Sequence, residues 1–201
     1  MRMEYMGLKI EISEEVYEPA EDSFLLAEVL LKEVRDEDIV LDMGTGSGIL
    51  ALLAAKKAKF VVGVDINERA VDIAWKNAVN NDVKNVIFVK SDLFENIRGR
   101  FSLIVFNPPY LPGEDEEIRD PIDLALIGGK TGGEVIERFA KHVKDFLLPG
   151  GRVLLLYSSL TKINVRKLFD ELGFKTAIVA KEKLFFEELY VMKAELSLHF
   201  R

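Results

Sequence analysis

Seven short apolar runs, at residues 39–41, 60–64, 86–89, 103–106, 153–157, 177–179 and 190–192, recur along the 201-residue chain and predict seven β-strands. The first five are nearly continuous in Val, Ile, Leu and Phe instead of alternating with polar residues. That is the pattern of strands covered on both faces in a parallel sheet. Stretches of helical period lie between them, at 20–34, 49–57, 68–80, 133–146 and 162–172. Strand and helix alternate, so the chain reads as an α/β sandwich with right-handed crossovers. Residues 181–186, between the last two strands, are too few for a crossover helix and predict an antiparallel hairpin at one edge of the sheet. Asn67 is placed to cap the helix that follows it, and Pro149, Gly150 and Gly151 read as the stop of the helix before the fifth strand. Residues 108–132 follow a strand end without a pattern of their own, which marks a functional loop. No repeat or linker divides the chain, and residues 1–201 are expected to form one domain.

Composition narrows the chemistry. Hydrophobic residues at 49% beside 30% charged ones suit a packed globular core and exclude a disordered or low-complexity chain. With no Cys, a disulfide framework, a Cys-ligated zinc site and a thiolate nucleophile are all excluded, and two His leave little for a His-built metal site, so no metal is expected. A formal net charge of −7 opposes a protein whose affinity comes from neutralising phosphates. No apolar stretch approaches the ~20 residues of a membrane span, and no secretory pattern opens the chain. A cytoplasmic enzyme or binding protein is the expectation.

The polar residues with the most to say stand at predicted strand ends. Strand one runs into Asp42, Met43, Gly44, Thr45, Gly46, Ser47 and Gly48 and then a helix, a turn that lets a ligand approach backbone N–H groups. The spacing is G-x-G-x-G, without the third glycine position of a dinucleotide fold or the Lys of a P-loop. An acid ahead of the glycines would repel a pyrophosphate and suits a cationic or hydroxylated ligand. Strand two ends in Asp65, Ile66 and Asn67, where a carboxylate can accept from both hydroxyls of a ribose. Strand three ends in Ser91, Asp92 and Leu93, with Asp92 able to accept from an exocyclic amine while Leu93 and Ile66 hold the ring between them. Strand four ends in Asn107, Pro108, Pro109 and Tyr110. Pro108 stiffens the exit from the sheet and fixes the Asn107 amide. The Asn107 oxygen and the Pro108 carbonyl can accept both hydrogens of a planar NH2 group on which Tyr110 stacks.

These residues together resemble the S-adenosylmethionine-dependent methyltransferases that act on amino groups of planar amides and bases. Within them, the run Val16, Tyr17, Glu18, Pro19, Ala20, Glu21, Asp22, Ser23, with Asp123 to Leu126 leading into the glycines of 128–133, is similar to the HemK-like glutamine methyltransferases of class I peptide-chain release factors. The similarity is greatest to their short archaeal and eukaryotic members, because no separate helical domain stands before strand one. The resemblance implies a Rossmann-like class I methyltransferase sandwich, a mostly parallel seven-stranded sheet of order 3-2-1-4-5-7-6 with helices on both faces. It also implies S-adenosyl-L-methionine as cofactor. Asp42, Gly44, Thr45, Gly46 and Gly48 would line its methionine end, Asp65, Ile66 and Asn67 its ribose and adenine, and Ser91, Asp92 and Leu93 its adenine. The segment 1–38 with the first helix would cover it, through Tyr17, Glu18, Pro19, Ala20 and Asp22, while Asn107, Pro108, Pro109 and Tyr110 hold the substrate amide, Asn107 touching the cofactor as well.

Two other readings compete. An N6-adenine or N4-cytosine nucleic-acid methyltransferase needs the same planar-amine motif, but the net charge and the acids Glu114, Asp115, Glu116 and Glu117 just after it work against a nucleic-acid grip. A silent cofactor-binding scaffold would have no use for Asn107. The resemblance also implies partners: a class I release factor as substrate, and a small zinc-binding activator. Strand three, at 86–89, is expected at a sheet edge with only Lys84 and Lys90 flanking its apolar run, an open template for an added strand. The competing expectation is that the C-terminal residues 195–201 cover that edge.

Overall fold

In a computed structural model, which describes residues 1–196, the chain forms a nine-strand α/β protein. A hairpin of β1 (Arg2–Tyr5) and β2 (Leu8–Glu11) precedes α1 (Glu21–Glu33). There follow β3 (Ile39–Met43), α2 (Ile49–Ala55), β4 (Phe60–Asp65), α3 (Glu68–Asn80), β5 (Val86–Lys90) and β6 (Phe101–Phe106). After the long loop come α4 (Pro121–Leu126), α5 (Glu134–Val143), β7 (Leu147–Ser158), α6 (Val165–Glu171), β8 (Phe174–Lys183) and β9 (Glu188–Leu196). The large sheet has the order β5-β4-β3-β6-β7-β9-β8. Numbered along the chain, its strands run 3-2-1-4-5-7-6, as expected, with β9 antiparallel to both β7 and β8.

The continuous apolarity of the central strands follows from their surroundings. Val40 and Val105 face α1 and α2, where Leu26, Leu30, Leu52 and Leu53 are fully buried. Leu41 and Ile104, one residue along, face Ile136 and Phe139 of α5 and Phe169 of α6. Each such aliphatic side chain contributes about 1.5–3 kcal/mol on leaving water, so both faces need apolar residues.

Three features depart from the sequence reading. The β1–β2 hairpin has only four residues per strand, and its turn, Met6 and Gly7, has both residues at positive φ. Pro149, Gly150 and Gly151 do not stop a helix. The helix ends at Val143, a 3-10 turn follows, and β7 already pairs Leu147 with Phe101 before an excursion that resumes with Arg152 against Leu103. The loop of 108–132 holds its own helix: Asp120 accepts from the Ile122 and Asp123 amides and Pro121 opens α4. As for the C-terminal cover, 195 and 196 lie in β9, far across the sheet from β5, and 197–201 fall outside the described residues.

Away from the site, one buried pair closes the opposite end of the strands. Arg152 donates to Asp38 through both terminal nitrogens, at 2.7 and 3.1 Å, and Ser102 donates to the same carboxylate at 2.7 Å. Burial opposes ionisation of Asp38, yet the bonds from Arg152, Ser102 and the Arg35 amide hold its carboxyl below the usual range. No helix among the described residues is long and apolar enough to cross a membrane.

Candidate active site

The sheet reverses its winding between β3 and β6, and a cleft opens there at the carboxyl ends of the parallel strands, the place where open α/β sheets bind ligands. The turn after β3 forms one wall. Gly44, Gly46 and Gly48 all have positive φ, and a Cβ built on Gly46 would meet nothing within 4 Å, so bare backbone faces open space. Gly48 backs onto Ala74 of α3 and does not line the cleft. Asp42 lies behind the turn as well. Its Oδ2 accepts from Thr45 Oγ1 at 2.7 Å and the Ala51 amide at 3.1 Å, while the buried Oδ1 has no protein partner. Burial pushes this carboxyl up to about 7, the two donors work the other way, and the nearby Asp65 charge adds to the rise.

Asp65 ties two strand ends together. Its oxygens accept from the Gly46 and Asn67 amides, each at 2.9 Å, and lone pairs remain for further donors. Burial raises its pKa against the pull of these amides. Asn67 caps α3 by accepting from the Arg69 amide, and its Nδ2 holds the Glu15 carbonyl at 2.8 Å. Ile66 leaves an apolar side chain 47% exposed at the lip. Across from it, Leu93 adopts φ +47°, an uncommon conformation for a branched residue, held by Ser91 Oγ donating to its carbonyl at 2.8 Å. Asp92 is engaged from a direction the sequence does not announce: Arg138 of α5 donates to its Oδ2 at 2.8 Å and lines the cleft.

The opposite wall is the segment after β6. Asn107, Pro108, Pro109 and Tyr110 all line the cleft, and Thr161 Oγ1 fixes the Tyr110 carbonyl at 2.9 Å. The glycines of 128–133 pack behind them. A Cβ on Gly128 would stand 2.4 Å from the Pro109 carbonyl oxygen, and one on Gly132 would stand 2.3 Å from that of Tyr110, so only glycine admits this backbone. From the front come Tyr17, Pro19 and Asp22, whereas Glu18 and Ala20 do not reach the cleft. Tyr17 and Tyr110 both donate to Asp22, at 3.2 and 3.3 Å, and burial together with the Asp22 charge raises the pKa of both phenols. Asn107 Nδ2 donates to the same Asp22 oxygen at 3.1 Å, which leaves Asn107 Oδ1 buried and without a partner.

No group of three or more His, Asp or Glu able to hold a metal occurs among the described residues. The sheet order, the glycine turn and the acids at adjoining strand ends define a class I methyltransferase fold. The chain belongs to the methyltransferase small domain family, whose model matches residues 20–186, and so to the S-adenosylmethionine-dependent methyltransferases. A Methanocaldococcus jannaschii protein, named for an inferred protein N5-glutamine methyltransferase activity, is 48% identical over 96% of this chain and 98% of its own. The release factor glutamine methyltransferase of Buchnera aphidicola is 34% identical over 85% of this chain, which spans 65% of that longer protein. Among solved structures, the E. cuniculi Mtq2–Trm112 complex, responsible for methylating the eRF1 termination factor, matches with a TM-score of 0.73 and 32% identity, over 91% of this chain and 99% of that one.

Proposed function

We propose that this chain, folded as a single domain, methylates the side-chain amide nitrogen of a protein glutamine, that of the Gly-Gly-Gln loop of a class I release factor. The observation that carries the reading is the Asn107 oxygen, a buried acceptor with no partner on a residue that lines the cleft. A buried acceptor left unmatched costs about 1–3 kcal/mol, and a planar NH2 group would satisfy it.

The residues present fit the cofactor. The open backbone at Gly46, with Gly44 lining the cleft beside it, leaves room for its methionine end, with the Asp42 carboxyl behind. Asp65 retains lone pairs for two ribose hydroxyls, and Ile66 and Leu93 supply apolar faces for adenine, with Asp92 at its edge. Tyr17 and Pro19 close the front. Bound there, S-adenosylmethionine supplies a methyl group on a sulfonium sulfur, which departs as a neutral thioether once the amide nitrogen takes the methyl. An amide nitrogen is a poor nucleophile because its lone pair is delocalised. Asn107 Oδ1 and the Pro108 carbonyl, accepting its two hydrogens, orient it and favour positive charge building on it, and the extra proton then passes to water. Tyr110 stacks on the amide plane. No acid, nucleophile or metal on the protein is needed.

A nucleic-acid substrate suits the cleft less well, since the motif is followed within a few residues by the exposed acids Glu114, Glu116 and Glu117. The partner reading concerns β5, which stands at the sheet edge with Ile87 and the neighbouring Trp75 of α3 exposed. A small zinc-binding activator adding a strand here would bury both. The edge is less open than its sequence implies, because Trp75 Nε1 already donates to the Phe88 carbonyl at 3.2 Å.

Asn107→Ala tests the central assignment. It should slow methyl transfer to release factor by about 100-fold or more while cofactor affinity stays nearly intact. A variant with near-normal turnover contradicts it.

A further inference from the structure

We propose that Asp22 is a positioning residue for the Asn107 amide, fixing which of its two ends faces the substrate, and not a lid over the cofactor. The inference rests on the reading of Asn107 as the acceptor for the substrate NH2.

An asparagine amide has two ends of nearly equal size, one accepting and one donating, and only its hydrogen-bond partners decide which end faces which way. Asp22 supplies that decision. An ionised carboxylate accepts and cannot donate, so with Asp22 at 3.1 Å only Nδ2 can face Asp22, and Oδ1 must point the other way. The carboxylate is itself held firmly. Tyr17 donates to both of its oxygens at 3.2 Å, Tyr110 to Oδ2 at 3.3 Å, and the Ser23 amide to Oδ1 at 2.6 Å. It sits in the first turn of α1, where the helix end favours negative charge.

The site is an expensive one for stability alone. Asp22 is 4% exposed, and its hydrogen-bond donors are all neutral, so the fold carries a buried charge without a cation bonded to it. What the carboxylate gains is contact with both tyrosines and the asparagine at once, drawn from 17, 107 and 110. Through Tyr17 it also joins the front segment to the loop after β6, so closing the front of the cleft and aiming Asn107 become one event.

The isosteric change Asp22→Asn removes the charge and lets its own amide either accept or donate. The Asn107 amide then loses its bias and spends part of its time with Nδ2 toward the substrate. In the full chain, Asp22→Asn should slow single-turnover methyl transfer by about 30- to 100-fold while cofactor Kd by calorimetry stays within about twofold. Combined with Asn107→Ala, it should slow the reaction no more than about twofold beyond Asn107→Ala alone, since a residue acting through another adds nothing once that other is gone. Cofactor affinity falling in step with rate, or losses that multiply in the double variant, overturns the proposal. A readout independent of turnover is the Asn107 side-chain NH2 resonance in nitrogen-15 spectra of the cofactor-free chain. Slow hydrogen exchange there in the wild type and fast exchange in Asp22→Asn support the proposal, and equal exchange overturns it. If the wild type leaves release factor unmethylated, the substrate reading fails, and the Asn107 resonance still decides the positioning role.

Discussion

Asp65 shows how a single residue can serve ligand and fold together. The sequence places it at a strand end facing a ligand, which implies that its loss spares stability. In the structure its carboxylate also holds the Gly46 and Asn67 amides, so the glycine turn depends on it. Asp65→Ala should therefore weaken S-adenosylmethionine binding by ~1.5–3 kcal/mol and lower the urea midpoint too, a double loss that calorimetry and unfolding read separately. Unchanged cofactor affinity removes the ribose assignment. Asp42 makes a different prediction, about pH. Its folded-state pKa, about 7, lies above the ordinary 3.8, so the folded state keeps a proton that the unfolded chain has already lost. Stability from this group is therefore greatest at low pH and falls as pH rises from about 4 through 7. Asp42→Asn has no proton to lose. Whatever its constant cost, its stability relative to wild type should improve between about pH 5 and about pH 8, and a pH-independent difference in urea midpoints contradicts the burial argument.

At this same scale, the glycine turn and the Asn107 to Tyr110 motif were legible because their residue types are demanded by backbone geometry. Arg138 was not, since an arginine on the polar face of an amphipathic helix looks the same whether it meets solvent or Asp92. Asn77 and Asn81 hid in the same way. Asn77 on α3 pairs with both the amide and carbonyl of Glu11 and with the Ser47 carbonyl, and Asn81, just past the end of α3, pairs with both backbone groups of Lys9. These bonds dock the edge of β2 against α3, and nothing local in the sequence can announce a contact spanning 66 to 72 positions.

Among the elements, the long central strands were legible from their apolar runs and the short hairpin of β1 and β2 was not, because four residues per strand carry too little periodicity. The bulged start of β7 misled for a definite reason: Pro149, Gly150 and Gly151 spell a helix stop, but here they carry the chain around a break in strand register. The edge element β5 has a consequence for assembly. Ile87→Glu places a charge on its exposed face without touching the buried Phe88, so the fold should persist. Binding of a strand-adding activator in a pull-down should fall at least about tenfold. Full retention by that variant moves the interface elsewhere.

Across the whole molecule, the alternation of strands and helices made an α/β sandwich legible, whereas the order of the seven strands was legible only through the resemblance that the strand-end motifs carry. The acceptor is the part of the chemistry that a fold leaves open, since planar amines on proteins and bases present the same two hydrogens. Tandem mass spectrometry of a class I release factor after incubation with the chain and methyl-labelled S-adenosylmethionine addresses it directly, with the candidate activator supplied alongside. One labelled methyl is expected on the side-chain amide nitrogen of the Gly-Gly-Gln glutamine, absent when Asn107 is alanine. Label found on another residue of the release factor, or only on nucleic acid added in competition, contradicts it.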